Sequence, residues 1–191
     1  KEIEDKILSV YPHLVIGTNG RMENADEIAG TAMGVDGVRE TAKFLDGQAI
    51  VNIGGKVMGV LVRGVDSDPS KRLLNVENFL AAGSADLEGM SALIGSELAR
   101  NFRMEAGDKF SIISPVTTES KEFVVSGIFK SGRHDYDLNY IFVNIEEAGA
   151  LLGREGVVSG IGVKVDEVFG VDAIRQKIYS LIRPSYWIMT W

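Results

Sequence analysis

The 191 residues, 45% hydrophobic and 25% charged, suffice for one large domain or two small ones and are too apolar to remain disordered. A net charge of −7 and a pI near 4.9 argue against a nucleic-acid surface, which needs clustered Lys and Arg, and no basic run exceeds Lys71-Arg72. The lack of cysteine excludes disulfides, thiolate zinc sites and a cysteine nucleophile, and it suits an oxidising compartment.

Taken in order, residues 1–10 carry Ile3, Ile7 and Val10 at helical spacing before Pro12, which predicts a short terminal helix. His13 to Ile16 reads as a strand, and Asn24 opens a helix that runs to about Met33 and ends at Gly34. Val38 to Phe44, Gln48 to Ile53 and Lys56 to Gly64 read as three strands joined by turns at Asp46-Gly47 and Gly54-Gly55. A loop at Asp66 to Ser70 leads to a short helix from Val76 to Ala82. Residues 83–90 then shift to Gly, Ser, Ala, Asp and Glu, as expected of a crossing between subdomains.

The middle of the chain is the most informative. Ser96 caps a helix with Leu98, Ala99 and Phe102 on one face, Gly107-Asp108 breaks it, and residues 109–113 and 121–129 form two strands across the connector Ser114 to Ser120. A polar loop, Lys130 to Asn139, precedes a strand at Tyr140 to Val143 and a helix from Ile145, capped by Asn144. Ser159 to Val165 is a strand. Asp172 caps a helix with Ile174, Ile178 and Leu181 as its stripe, Pro184 ends it, and Tyr186 to Met189 is the last strand. No repeat of fixed period is present, but a β-α-β unit stands at each end of a β-rich middle.

The order of Ile94-Gly-Ser-Glu-Leu-Ala, Gly107-Asp108, Ile113-Ser-Pro, Val125-Ser-Gly-Ile-Phe, Gly132, Tyr136-Asp137 and Phe142-Val-Asn-Ile-Glu-Glu-Ala resembles the extracytoplasmic domain of the LolC/LolE family. That family supplies permease subunits of lipoprotein-releasing ABC transporters and is related to the periplasmic core of MacB-like permeases. The resemblance implies an α+β fold: a porter-like subdomain built from both chain ends, residues 11–82 and 153–191, with residues 83–152 inserted as a β-rich projecting subdomain. Residues 1–10 would then continue a membrane helix, and Trp191 would lie at the membrane interface. Both chain ends are expected on one side, because both lead to the same bilayer. The chain starts at Lys1 rather than Met and is expected to be processed or a piece of something longer. Its own apolar runs, such as residues 49–51 and 59–62, fall far short of the roughly 20 residues a spanning helix needs.

Candidate chemistry is sparse. Asp66, Asp68, Ser70 and Glu77 place oxygens at calcium-loop spacing, but Lys71 stands where the loop needs Gly and Pro69 stiffens it, so a solvated connector is expected. His134, Asp135 and Asp137 could bind a metal or serve a small hydrolase, yet the other histidine, His13, is far away in sequence. Gly54-Gly55-Lys56 lacks the pattern of a phosphate loop, and no Gly-x-Ser-x-Gly elbow occurs. No catalytic, cofactor or metal site is therefore expected.

The resemblance implies a non-enzymatic domain on the periplasmic side of the inner membrane. It would belong to a membrane-embedded parent with a partner permease subunit, a separate cytoplasmic ATPase and lipoprotein cargo, and without nucleic acid. A MacB-like or FtsX-like domain that passes motion to an export or cell-wall partner is the alternative. The partner-binding candidates are Pro115, Val116, Thr117, Thr118 and Glu119, where LolC-type subunits carry a longer hook for the soluble lipoprotein carrier. Here the stretch is short, since extended chain covers only about 3.5 Å per residue, and weak or no carrier binding is expected.

Overall fold

Val38 to Ile53, which the turn-forming pair Asp46-Gly47 would divide, is one continuous strand, β2, of 16 residues. Neither residue acts as a turn former. The Asp46 carboxylate is held across the strand pair by Arg63, its register partner, through contacts of 2.7 Å from Nε and from Nη2. Gly47 is a glycine for space, because a Cβ there would lie 2.8 Å from Leu152 Cδ2. Gly54 and Gly55 do make the next turn, both with positive φ, and β3 (Lys56–Val65) returns antiparallel to β2.

The computed structural model describes residues 12–19, 21–22, 24–73, 76–167, 170–182 and 184–190. The terminal helix expected at residues 1–10 and the interfacial role expected of Trp191 fall outside them, as does the shared side expected for the two chain ends. The chain divides into two compact units, Lys1–Phe44 with Pro69–Asn75 and Val157–Trp191, and Leu45–Asp68 with Val76–Gly156. This differs from the division at residue 83 drawn from composition. The physical reason is β2 itself, which pairs with one unit's strands up to Phe44 and with the other's from Leu45 onward.

The first unit is an antiparallel sheet in the order β10 (Tyr186–Thr190), β1 (Leu14–Thr18), β9 (Gly160–Val165) and the first half of β2. Helices α1 (Ala25–Met33) and α5 (Val171–Leu181) belong to its core, in which Ile28 and Ala32 join Ile174 and Ile178 against Leu14, Ile16, Ile161, Val163 and Ile188. Leu181 is not in that stripe; it is 61% exposed, and Ile182 packs on the core instead. Gly170, rather than Asp172, holds the N-cap position, and Asp172 pairs with Arg175 in the first turn.

In the second unit the strand pairings close on themselves. The second half of β2 pairs with β3, β3 with β8 (Tyr140–Asn144), β8 with β5 (Ser91–Gly95), β5 with β7 (Ser120–Phe129), β7 with β6 (Lys109–Ile113), and β6 with β2 again. Such closure satisfies backbone groups that an open sheet would leave at its edges. Side chains alternate about it, so Ala49, Val51, Val60, Val62, Ile94, Ile112, Phe123, Val125, Ile141 and Val143 share one core. Leu98 and Ala99 of α2 (Ser96–Phe102) and Ala148, Leu151 and Leu152 of α4 (Ile145–Leu152) complete it.

Three local expectations give way here. Residues 76–79 make a 3-10 turn and then a strand, β4 (Leu80–Gly83), that pairs with β7; its backbone approaches so closely that a Cβ at Gly83 would lie 2.8 Å from Gly127 Cα. The polar stretch before β8 contains a helix, α3 (His134–Asn139), anchored by buried Tyr136 and Asp137. Gly95 rather than Ser96 occupies the N-cap of α2, and the buried Ser96 hydroxyl has no hydrogen-bond partner among the described residues. Asn144 caps α4 as expected, accepting from Glu146 N at 2.9 Å.

Candidate functional site

The connector between β6 and β7 is a knot of local hydrogen bonds. Ser114 is fully buried, and its Oγ accepts from the backbone N–H of Val116 at 3.3 Å and of Thr117 at 3.2 Å. Its own N–H donates to Glu119 O, and its carbonyl accepts from Thr118 N, both at 2.9 Å. Thr118 takes a left-handed φ of 60° to close the loop. This is the Ser/Thr turn chemistry that lets a short polar side chain stand in for a backbone acceptor.

Thr117 ties the loop to the rest of the unit. Its hydroxyl donates to Leu151 O at 3.0 Å near the end of α4 and accepts from Glu119 N at 3.2 Å. Thr117 packs against Gly153, which takes a positive φ of 64° just after the helix. The connector therefore folds back on α4. What it presents outward is Pro115, Val116, Thr118 and Glu119, with Val116 80% exposed at the tip. Reading the sequence by type missed Ser114, the residue that shapes the loop. The signal was a Ser before Pro with Thr two positions further on.

The histidine-bearing stretch does not converge on a site. His134 Nδ1 lies 3.3 Å from Glu97 Oε2, and Arg133 pairs with Asp135 at 3.2 Å. The hydrogen bond from Arg133 is the main reason the Asp135 carboxyl sits below the usual carboxylate range. Asp137 turns inward, where its carboxylate accepts from Ser131 N, Ser131 Oγ and Gly132 N at 2.8, 2.6 and 3.3 Å. His13 Nδ1 accepts from Val165 N at 3.0 Å in the other unit. Asp66 accepts from Asp68 N at 2.9 Å in a local turn. Among the described residues no group of three or more His, Cys, Asp or Glu could hold a metal ion.

Residues 1–181 match the model of the MacB-like periplasmic core domain. The chain belongs to the MacB-like periplasmic core domain family. Its relatives include the lipoprotein-releasing system transmembrane protein LolC of Neisseria meningitidis, 24% identical, and that of Xylella fastidiosa, 23% identical; each match takes in 100% of this chain and 49% of the relative. The chain thus spans about half the length of the curated relatives it matches, and the resemblance to LolC/LolE proteins extends along all of it. Among solved structures, the periplasmic region of MacB from Actinobacillus actinomycetemcomitans has a TM-score of 0.64 at 12% identity, covering 100% of this chain and 94% of its own. The extracellular domain of the noncanonic ABC-type transporter YknZ from Gram-positive bacteria has a TM-score of 0.62 at 14% identity, over 93% of this chain and 99% of its own. These likenesses establish the α+β MacB-like fold. The family is one of transporter permeases rather than of known enzymes. No helix among the described residues of this MacB-like domain is long and apolar enough to cross a membrane.

Proposed function

We propose that this chain is the extracytoplasmic domain of an ABC-transporter permease subunit that takes part in releasing lipoproteins from the inner membrane, and that it catalyses nothing itself. The observation that supports this reading is the match to LolC along the full chain. On this reading the domain lies on the periplasmic side of a membrane-embedded parent. A partner permease subunit stands beside it, and a separate cytoplasmic ATPase supplies the energy. The test is release of a triacylated lipoprotein from vesicles holding the parent protein with its partner subunit and ATPase. Release should require ATP and should disappear when residues 12–190 are replaced by a flexible linker. Unchanged release would overturn the proposal.

The exposed connector residues Pro115, Val116, Thr118 and Glu119, with Thr117 behind them, are the proposed partner-facing group. Because the loop folds back on α4, its reach is short and its affinity for a soluble lipoprotein carrier is weak. Titration of the chain with the carrier from the same genome should give a dissociation constant above about 10 μM. Sub-micromolar binding that is lost on changing Val116 and Thr117 to Gly would show that a short hook suffices. One observation favours a second reading, a domain that passes motion to an export or cell-wall partner: the shared fold with the MacB and YknZ domains. ATP-dependent lipoprotein release decides between the two.

A further inference from the structure

The second unit carries an open groove of about 520 Å³ on the outer face of β2 and β3. Strand alternation produces it: Ala49, Val51, Val60 and Val62 turn into the core, so Gln48 and Ile50 of β2 and Gly59 and Leu61 of β3 turn outward. Ile50 stands opposite Gly59 in the register and Gln48 opposite Leu61. A Cβ on Gly59 would find nothing within 4 Å, so the glycine leaves the middle of the floor open between the half-buried Ile50 and Leu61. Asn139, at the end of α3, and Pro115, in the connector, complete the lining. We propose that this groove binds one alkyl chain and, on the lipoprotein-release reading on which this inference rests, that the occupant is an acyl chain of the lipoprotein cargo.

The chemistry of the lining selects the occupant. The chain carries 27 acidic and 20 basic residues, yet among the described residues no side chain that lines the groove is charged, and its only polar side chains are the amides of Gln48 and Asn139. None of the lining side chains is aromatic. Protein partners are anchored chiefly by Trp, Tyr and Arg, and this surface offers none of them. An ionised group placed here would give up its water without gaining a counter-charge. An alkyl chain has no polar group to desolvate and needs only aliphatic contact, which Ile50, Leu61 and Pro115 supply. The groove volume lies within the range of about 300–1,000 Å³ typical of ligand sites. It also joins the connector: Pro115 lines it, and the next residue, Val116, is 80% exposed, so a chain leaving the groove meets an apolar tip.

The experiment is an NMR titration of the 191-residue chain with decyl maltoside, octyl maltoside and N-decanoyl-Cys-Ser-amide, a short-chain mimic of an acylated lipoprotein N-terminus, each kept below the concentration at which it forms micelles. The controls are acetyl-Cys-Ser-amide, vesicles of dioleoylphosphatidylcholine, and the variants Gly59→Leu and Val57→Ser. Saturable shifts centred on Ile50, Gly59 and Leu61 are expected with both decyl compounds, with a dissociation constant of about 0.1–1 mM, and none with the acetyl peptide or the vesicles. Octyl maltoside should bind about fourfold more weakly than decyl maltoside, the ratio for two methylenes each half-buried. Gly59→Leu, whose side chain fills the groove, should lower affinity at least tenfold, whereas Val57→Ser, at a residue 65% exposed outside the lining, should not change it. The chain-length comparison leaves the protein unaltered, so a misfolded variant cannot mimic the result. No saturable binding, affinity independent of chain length, equal binding of the acetyl peptide, the same shifts from vesicles alone, or sedimentation showing that a second copy of this chain covers the groove would each overturn the proposal. Binding is read here without ATP or partner subunits, so its failure leaves the release assay standing, and failure of release leaves the binding result standing.

Discussion

Gly95 and Asp137 meet backbone to backbone: a Cβ on Gly95 would overlap the Asp137 carbonyl oxygen and lie 2.5 Å from its carbonyl carbon. The contact brings α3 against the junction of β5 and α2, so the smallest residue stands where a helix backbone passes a strand end. Gly95→Ala should therefore destabilise the protein by about 3 kcal/mol, since the overlapping atoms are backbone and cannot turn aside. Urea unfolding checks this against Gly59→Ala, where nothing lies within 4 Å and a change within about 0.5 kcal/mol is expected. Equal effects at the two positions would show that the overlap is not what matters.

Asp137 itself holds the turn before α3. Its carboxylate accepts three hydrogen bonds from Ser131 and Gly132, and the residue is 3% exposed. An amide in its place would turn a donor toward donors, and Asp137→Asn should cost about 1–3 kcal/mol. Because those oxygens are already engaged, calorimetric titration with calcium or zinc should show no stoichiometric binding tighter than about 10 μM. Tight one-to-one binding lost in the variant would contradict this account of Asp137.

The cross-strand pair of Arg63 and Asp46 keeps β2 straight where a turn was expected. Burial of Arg63 opposes its charge, but the hydrogen bonds and charge of Asp46 outweigh this, with smaller help from Tyr136 and Tyr140, and the guanidinium pKa is raised. Arg63 also lies over the Tyr140 ring, 5.5 Å from its centre. Asp46→Ala should cost about 2 kcal/mol, below the value for a fully buried pair because the Asp46 side chain is 37% exposed. Arg63→Met combined with Asp46→Leu should recover most of the loss in a thermal-melt comparison. A double variant no better than Asp46→Ala would mean that stacking on Tyr140, rather than the ion pair, dominates.

Lys164 gives the fold a pH dependence of known sign. It is 8% exposed on β9 and opposite Glu40 in the register, and its pKa is lowered chiefly by burial, with Glu40 opposing and Arg39 adding to the shift. A lysine whose folded pKa is depressed binds fewer protons folded than unfolded between that pKa and 10.5. Its contribution to stability therefore rises with pH across this window and is lost again as pH falls through the folded pKa. Lys164→Met should be more stable than the parent at pH 7, with the difference shrinking toward pH 10.5. A constant difference across that range would remove Lys164 titration as the cause.

What the sequence determined by itself was local. Asn144 at the start of α4, the Gly54-Gly55 turn, the apolar spacing of Ile174 and Ile178 and the β-prone runs of β6 and β7 each depend on neighbours a few residues away, and each was legible. The ordered motifs from Ile94 to Ala148 carried the family for the same reason, as a string of such local features. Of the connector, its place between β6 and β7 was legible. The Thr117 to Leu151 hydrogen bond was not, because those residues are 34 positions apart.

Only the tertiary structure decided what long-range pairing controls. Asp46-Gly47 has the composition of a turn, yet Arg63 and Leu152 make it strand interior. The closure of six strands on β2 depends on the pairing of Ile50 with Ile113 and of Leu61 with Tyr140, contacts whose loop-closure cost and register no local pattern encodes. The division between the two units followed β2 across Phe44 and Leu45 and passed over the glycine-rich stretch at residues 83–90, because a unit is bounded by where its strands find partners.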